Sequence, residues 1–313
     1  MASLKEIKGR IASVRSTLKI TSAMKLVSSA KLRKAQQAIA NMLPYERQLR
    51  RLLVNTLAFG TLDVSAKPGG KIAILAFSSN SSLCGAFNSN VIRKTLSVIG
   101  EYRSAGIPDE DIIVYSIGRK MMEAMRKAGF PSPKDYSGMS ESPDYESAAA
   151  LAQALFSDFM SGRLSRVELV YNHYKSTASQ PTIRETYLPM ESPGGAPGAP
   201  VGAESSRRVV GLPRVAAAAP MGEAIVSEYP DDIFIEPSAG ELLEALLPKV
   251  LRLKIYATLL DSSAAENAAR VVAMQTATDN GEDLLDSLTL EYNKGRQQKI
   301  TSEILDIVGG SLQ

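Results

Sequence analysis

The run from Ser238 to Leu312 limits the possible folds more than any other stretch. Within it Leu242, Leu246, Val250, Leu253, Ala257, Leu260, Ala264, Asn267, Val271, Met274, Thr278, Gly281, Leu285, Leu288 and Tyr292 follow one another at steps of four and three. A period near 3.5 keeps one stripe facing a partner helix for many turns. At 1.5 Å per residue the run reaches roughly 100 Å, so it is expected to project from any domain the chain can build. Asn267, Thr278 and Gly281 stand where a stable zipper has leucine, which predicts a helix that packs close to a neighbour or slides against one. Ser238 is its expected N-cap, with Glu241 at the capping-box spacing. Pro248 is expected to kink the helix or restart it near Leu247.

A second long helix opens the chain. Ser3 and Glu6 have capping-box spacing, and Leu4, Ile7, Ile11, Val14 and Leu18 keep the same alternation. Ile20, Met24 and Val27 read as its continuation after a shift of phase, and Leu49, Leu52, Leu53 and Leu57 resume it after an expected kink or stagger at Pro44. Its charge is one-sided, because Lys5, Lys8, Arg10, Arg15, Lys19, Lys25, Lys31, Arg33, Lys34, Arg47, Arg50 and Arg51 are set against Glu6 and Glu46. Part of this is an ordinary solvated face. No aromatic residues interleave as nucleic-acid binding requires, so an acidic protein surface is the favoured partner and no nucleic acid is expected.

Between the helices the texture changes. Ile72–Phe77, Asp111–Ile117 and Val167–Tyr171 read as buried strands, and helices are expected over Asn88–Arg103, Arg119–Lys127 and Asp144–Met160. Alternation of this kind implies a mostly parallel βαβ sheet with right-handed crossovers. Thr182–Met190, bounded by prolines, reads as an edge strand. Ser192–Pro220 is rich in Pro, Gly and Ala and reads as a surface loop. Short strands at Val209–Leu212 and Ile225–Val226, and an extended Asp231–Glu236, are expected after it. The division is therefore an N-terminal helix over 1–60, an αβ domain over 70–191, an insertion and linker over 192–237, and a C-terminal helix over 238–313. The fold class is α/β, with an antiparallel coiled coil and a central Rossmann-like domain.

A Rossmann-like sheet raises the question of a nucleotide. The loop Ser78–Asn88 holds one glycine, Gly85, where a dinucleotide fingerprint needs three and a P-loop needs two followed by Lys-Ser/Thr. Cys84, the only cysteine, rules out an internal disulfide and reads as packing. His173, the only histidine, reads as an exposed strand-end residue. No metal-ligand spacing or carboxylate pair is apparent, so no catalytic residue, metal or cofactor is expected. No apolar stretch is long enough to span a membrane. A Rossmann-type oxidoreductase and an unrelated coiled-coil adaptor are the competing readings.

Three stretches resemble one family, the gamma subunits of F-type rotary ATP synthases. They are Ile20–Arg33 around the Met24-Lys25 pair, Leu83–Asn90, and Ala268–Asn280 followed by Tyr292–Gln297 and Ile300–Ile304. Asn80-Ser81-Ser82 departs from the family's frequent Asp-Arg-Gly, and Asp306 replaces its usual second glutamate. The resemblance implies a rotor shaft that couples proton-driven rotation of the c-ring to ATP synthesis or hydrolysis in a ring of alpha and beta subunits. Epsilon would be a further partner, and catalysis would belong to the beta subunits. It also implies that Met24 and Lys25 lie near an acidic loop of the catalytic subunit, with Glu266 and Arg270 on the facing helix. Arg296, Gln297 and Thr301 would catch loops of the ring, supported by Glu303, and Ile304, Leu305, Ile307 and Val308 would enter its upper bearing. The insertion lies where chloroplast relatives carry a thiol switch, which this segment cannot form without a cysteine. Because the family motif starts close to Met1, the expected location is the cytoplasmic face of a bacterial inner membrane, peripheral and without a span.

Overall fold

The computed structural model describes residues 3–57, 69–189, 236 and 238–310. The elements run α1 (Leu4–Leu57), β1 (Lys71–Phe77), α2 (Phe87–Ser104), β2 (Ile112–Ile117), α3 (Arg119–Lys127), α4 (Ser137–Glu141), α5 (Tyr145–Met160), β3 (Leu164–Asn172), β4 (Thr182–Leu188) and α6 (Ala239–Gly310). The short α4 was not anticipated, nor was a 3-10 turn at Asp109–Asp111, so β2 starts at Ile112 and not at Asp111. The expected insertion loop, its two short strands and nearly all of the extended 231–236 segment lie outside the described residues.

Both long helices begin as their caps predict. The Glu6 N–H donates to Ser3 Oγ at 3.3 Å, and the Glu241 N–H donates to Ser238 Oγ at 3.3 Å. Pro44 and Pro248 lie inside unbroken helices, so α6 does not restart at Leu247. A helical proline forfeits a donor and costs roughly 3 kcal/mol. Around Pro248 that cost is offset by burial, because Leu243, Leu246, Leu247 and Leu251 are all buried.

The chain forms two compact units, one of residues up to Ala30 with those from Arg270, the other Lys31–Ala269. Within the larger unit the sheet has the order β2-β1-β3-β4. The first three strands are mutually parallel, Ile74 pairing with both Val114 and Glu168, and β4 lies antiparallel at the edge. Alternation along β1 divides the core. Ile72, Ile74 and Ala76 pack with Val91, Val98 and Ile99 of α2 and with Met121 and Met125 of α3. Ala73, Leu75 and Phe77 pack with Leu151, Leu155 and Phe159 of α5 on the other face. That second layer also contains Leu247, Leu251, Ile255 and Leu259 of α6. These four, spaced by four, are a second apolar stripe beside the seam, so this part of α6 serves a helix and a sheet at once. On its seam side Leu243, Leu246 and Leu253 meet Leu49 and Leu53, while Ala264 and Ala268 meet Leu32 and Ala35.

Buried charges fasten the larger unit. Lys254 of α6, 3% exposed, donates to both carboxylate oxygens of Glu185 at 2.7 Å, and the Tyr171 hydroxyl donates to the same carboxylate at 3.2 Å. Burial pushes the Lys254 amine below its ordinary value, against the pull of Glu185. The carboxylate of Glu168, fully buried in β3, accepts from Arg166, Arg184 and Tyr102. Burial drives its pKa up, but the Arg184 and Tyr102 hydrogen bonds outweigh that and hold it below the usual range. Burial and the same carboxylate raise the Tyr102 phenol to about 12.

His173 departs from expectation. It is not an exposed strand-end residue: its side chain is 13% exposed and its Nδ1 lies 2.7 Å from Asp261 Oδ2 on α6. Cys84 is buried beside Phe87 and Ala265, in keeping with a packing role.

Candidate functional site

In the smaller unit α1 and α6 pair antiparallel. The Thr21 and Thr278 hydroxyls lie 3.0 Å apart, and Lys25 Nζ donates to the Gln275 side-chain carbonyl. Leu18 approaches Gly281, where a Cβ would come within 2.7 Å of Leu18 Cδ2, and Leu4 approaches Gly295 in the same way. Each step along α1 is thus matched by an equal step back along α6. Thr278 and Gly281 are sites of close contact, not gaps, since the hydroxyl and the missing Cβ let the helices meet. Thr278 also donates to the Met274 carbonyl at 2.9 Å.

The seam of α1 keeps one phase throughout. Leu4, Ile7, Ile11, Val14, Leu18, Thr21, Met24, Lys25 and Ser28 are buried or half-buried. The expected shift of phase at Ile20 and Val27 is therefore wrong. Those two are 56% and 58% exposed, and Leu26 is 72% exposed. Two polar residues, Thr21 and Ser28, take the seam, and three large apolar residues face outward. The same holds on α6, where Val272, Leu284, Leu290, Ile300, Ile304, Leu305 and Ile307 are exposed although Met274 and Leu288 are buried. Following the three-four spacing through Thr21 and Ser28, without regard to polarity, would have found this surface.

Charge differs between the two helices of this unit. On α1 the residues Lys5, Lys8, Arg10, Arg15 and Lys19 are exposed, with Arg10 held 3.4 Å from Glu6. On α6 the exposed Asp279, Glu282, Asp283, Asp286 and Glu291 form an acidic stretch, followed by exposed Lys294, Arg296 and Lys299. The pair thus presents a basic sector along one helix and an acidic sector along the other.

The residues singled out in the sequence fall into two groups. Met24 and Lys25 are half-buried at the pair's seam, and Lys25 is held by Gln275, whose amide in turn donates to Asp279 at 2.6 Å. Arg270 is 7% exposed, more buried than a contact residue needs to be. Arg296, Gln297, Thr301 and Glu303 are exposed on the last turns of α6. There the Thr301 hydroxyl donates to the Gln297 carbonyl at 2.9 Å, and Lys299 pairs with Glu303 at 3.6 Å. In the larger unit Glu266 is half-buried and lines a small recess with Ser78, Ser140, Ser262 and Ser263. Gln275 is the residue that the sequence reading missed as a partner of Lys25. Among the described residues no group of three or more His, Cys, Asp or Glu side chains is placed to hold a metal ion.

A family model described as ATP synthase matches residues 3–312. The ATP synthase gamma chain of Phocaeicola vulgatus is 48% identical over 316 residues, covering 100% of both chains. That of Bacteroides fragilis is 47% identical over 317 residues, again with 100% of both chains covered. Among solved structures, a chain of the Euglena gracilis mitochondrial ATP synthase (OSCP/F1/c-ring, rotational state 3) superposes with a TM-score of 0.61 at 20% identity. It covers 98% of this chain and 92% of that one, a likeness of fold. A chain of the same organism's ATP synthase rotor gives a TM-score of 0.58 at 19% identity, covering 95% of this chain and 98% of that one.

Proposed function

Because the chain belongs to the family of ATP synthase gamma chains, it is a non-catalytic rotor subunit of that enzyme, and we propose how its surface performs the coupling. The paired helices are the central shaft, which turns within the ring of alpha and beta subunits while ATP is made or hydrolysed at the beta subunits. Its other partners are the epsilon subunit and the c-ring. The observation that carries the reading is the set of outward apolar residues, Ile20, Leu26, Val27, Leu290, Ile304, Leu305 and Ile307, on a helical pair whose own seam is already filled. Apolar side chains exposed in this number beside a satisfied seam fit a wall that surrounds the pair.

The shaft acts through differential contact. Three chemically equal catalytic subunits meet a basic sector, an acidic sector or an apolar one, according to the shaft's angle. Each angle then favours a different conformation of each subunit, and only such a difference in interaction energy shifts the equilibrium among nucleotide affinities. Met24, Lys25 and Arg270 set the shape of the pair where it passes the acidic loop of a catalytic subunit, with Glu266 nearby in sequence. Arg296, Gln297 and Thr301 are the exposed groups that engage ring loops, with Glu303 keeping Lys299 in place. The αβ domain over 70–191 forms part of the foot. None of the described helices is long and apolar enough to cross a membrane. The chain is a peripheral part of the complex, and its relatives in Phocaeicola and Bacteroides support the cytoplasmic face of a bacterial inner membrane as its location.

Reconstitution tests the proposal. Purified chain mixed with the cognate alpha and beta subunits is expected to form a complex that hydrolyses ATP, while the chain alone shows neither hydrolysis nor nucleotide binding in a titration. Failure to enter the ring would favour an adaptor for other partners. Saturable nucleotide binding by the isolated chain would favour the oxidoreductase reading.

A further inference from the structure

The larger unit contains the only histidine of the chain. His173 follows directly after β3, and its backbone N–H is fixed by the Pro181 carbonyl at 2.9 Å. Its imidazole Nδ1 lies 2.7 Å from Asp261 Oδ2, and the other oxygen of that carboxylate accepts the Tyr174 N–H at 2.9 Å. Asp261 thus joins α6 to the end of β3 through one backbone donor and one titratable donor. Both side chains are largely withdrawn from water, at 13% and 17% exposed, which weakens solvent screening of the pair.

We propose that His173 and Asp261 form a pH-responsive tie between the end of β3 and α6, closed when the imidazole is protonated and loosened when it is neutral. The charged neighbours act in both directions. On α6, Lys254 donates to both oxygens of Glu185 of β4 and also acts electrostatically on Asp261, opposing the charge on the imidazole. Tyr171 of β3 donates to Glu185, so it does not compete for Asp261. On α1, Glu46 acts on Lys254. When His173 is neutral, the half-buried Asp261 keeps the Tyr174 N–H and the influence of Lys254 but loses the imidazolium charge. A neutral imidazole still offers one hydrogen bond, so the tie is loosened rather than broken.

The direction of the titration agrees. The Asp261 hydrogen bond raises the His173 pKa above its ordinary 6.5, opposed by burial and assisted by the charges of Asp261 and Glu185, with Lys254 acting the other way. A group raised in the folded state contributes its stability fully below the unfolded value, and that contribution is lost as pH climbs through the folded value. The tie is therefore closed in mild acid and relaxes as pH climbs through that raised value.

One histidine gives one imidazole resonance. In the full chain labelled with 13C-histidine, the NMR titration midpoint is expected above 6.5, and Asp261→Asn is expected to lower it. Hydrogen exchange then reads the tie itself. After correction for intrinsic rates, amides of α6 around Asp261 are expected to exchange faster as pH rises through that midpoint. His173→Lys, which keeps a cation across the range, is expected to flatten the rise, and this arm stands even where Asp261→Asn folds poorly. A wild-type midpoint at or below 6.5, or an equal rise in the lysine variant, would overturn the proposal. Neither measurement depends on assembly with the ring, so the result is separable from the rotor reading.

Discussion

Lys254→Met is expected to lower the stability of the Lys31–Ala269 unit by ~3–5 kcal/mol, the usual cost of breaking a buried ion pair from one side. Methionine keeps most of the apolar stem, so little packing is lost. What changes is Glu185, whose carboxylate loses both Nζ contacts and retains the Tyr171 hydroxyl. The double variant Lys254→Met with Glu185→Leu removes both charges and should recover most of the loss, since a buried pair replaced by apolar groups is often neutral. Urea denaturation of the single and double variants measures the difference. A single-variant loss under ~1 kcal/mol, the range of exposed pairs, would show that the pair is not the fastening described.

Charge reversal at Arg296 is expected to act on function and leave the fold alone. The side chain is exposed in the last third of α6, and exposed substitutions usually change stability by no more than ~0.5 kcal/mol. In the proposed contact with a ring loop the same change would replace attraction by repulsion. Arg296→Glu is therefore expected to slow ATP synthesis by reconstituted complex in proton-loaded vesicles by about tenfold, which corresponds to ~1.4 kcal/mol. Circular dichroism of the isolated chain should match wild type. Unchanged synthesis in correctly assembled complex would remove Arg296 from the contact surface.

What could be read in the sequence depended on whether the signal was local. The α6 seam was legible because leucine, alanine and methionine recur at its three-four spacing, and every seam position named there is buried or half-buried. The α1 seam was misread beyond Leu18, where hydrophobicity and geometry part company. Thr21 and Ser28 occupy the seam because a close pair needs small side chains there, while Ile20 and Val27 are apolar for a surface that a single chain leaves open. The stripe Leu247, Leu251, Ile255 and Leu259 was equally periodic but was overlooked, because one seam already seemed to account for the helix. No local pattern predicts Lys254 with Glu185 or His173 with Asp261, whose partners are 69 and 88 positions apart. The strands β1 to β3 were legible as apolar runs, and β4 by the prolines at its ends. Of the candidate site, Arg296, Gln297, Thr301 and Glu303 lie on an exposed helical surface. Arg270 is buried, which its charge does not announce.

Rotation is the most direct measure of the central claim. With the alpha and beta subunits fixed to a surface and a bead attached to this chain through an introduced cysteine in a Cys84→Ser background, added ATP is expected to drive the bead around in one direction. The motion should proceed in three equal steps per turn, one for each catalytic subunit. A bead that stays fixed while the same complexes hydrolyse ATP would contradict the account.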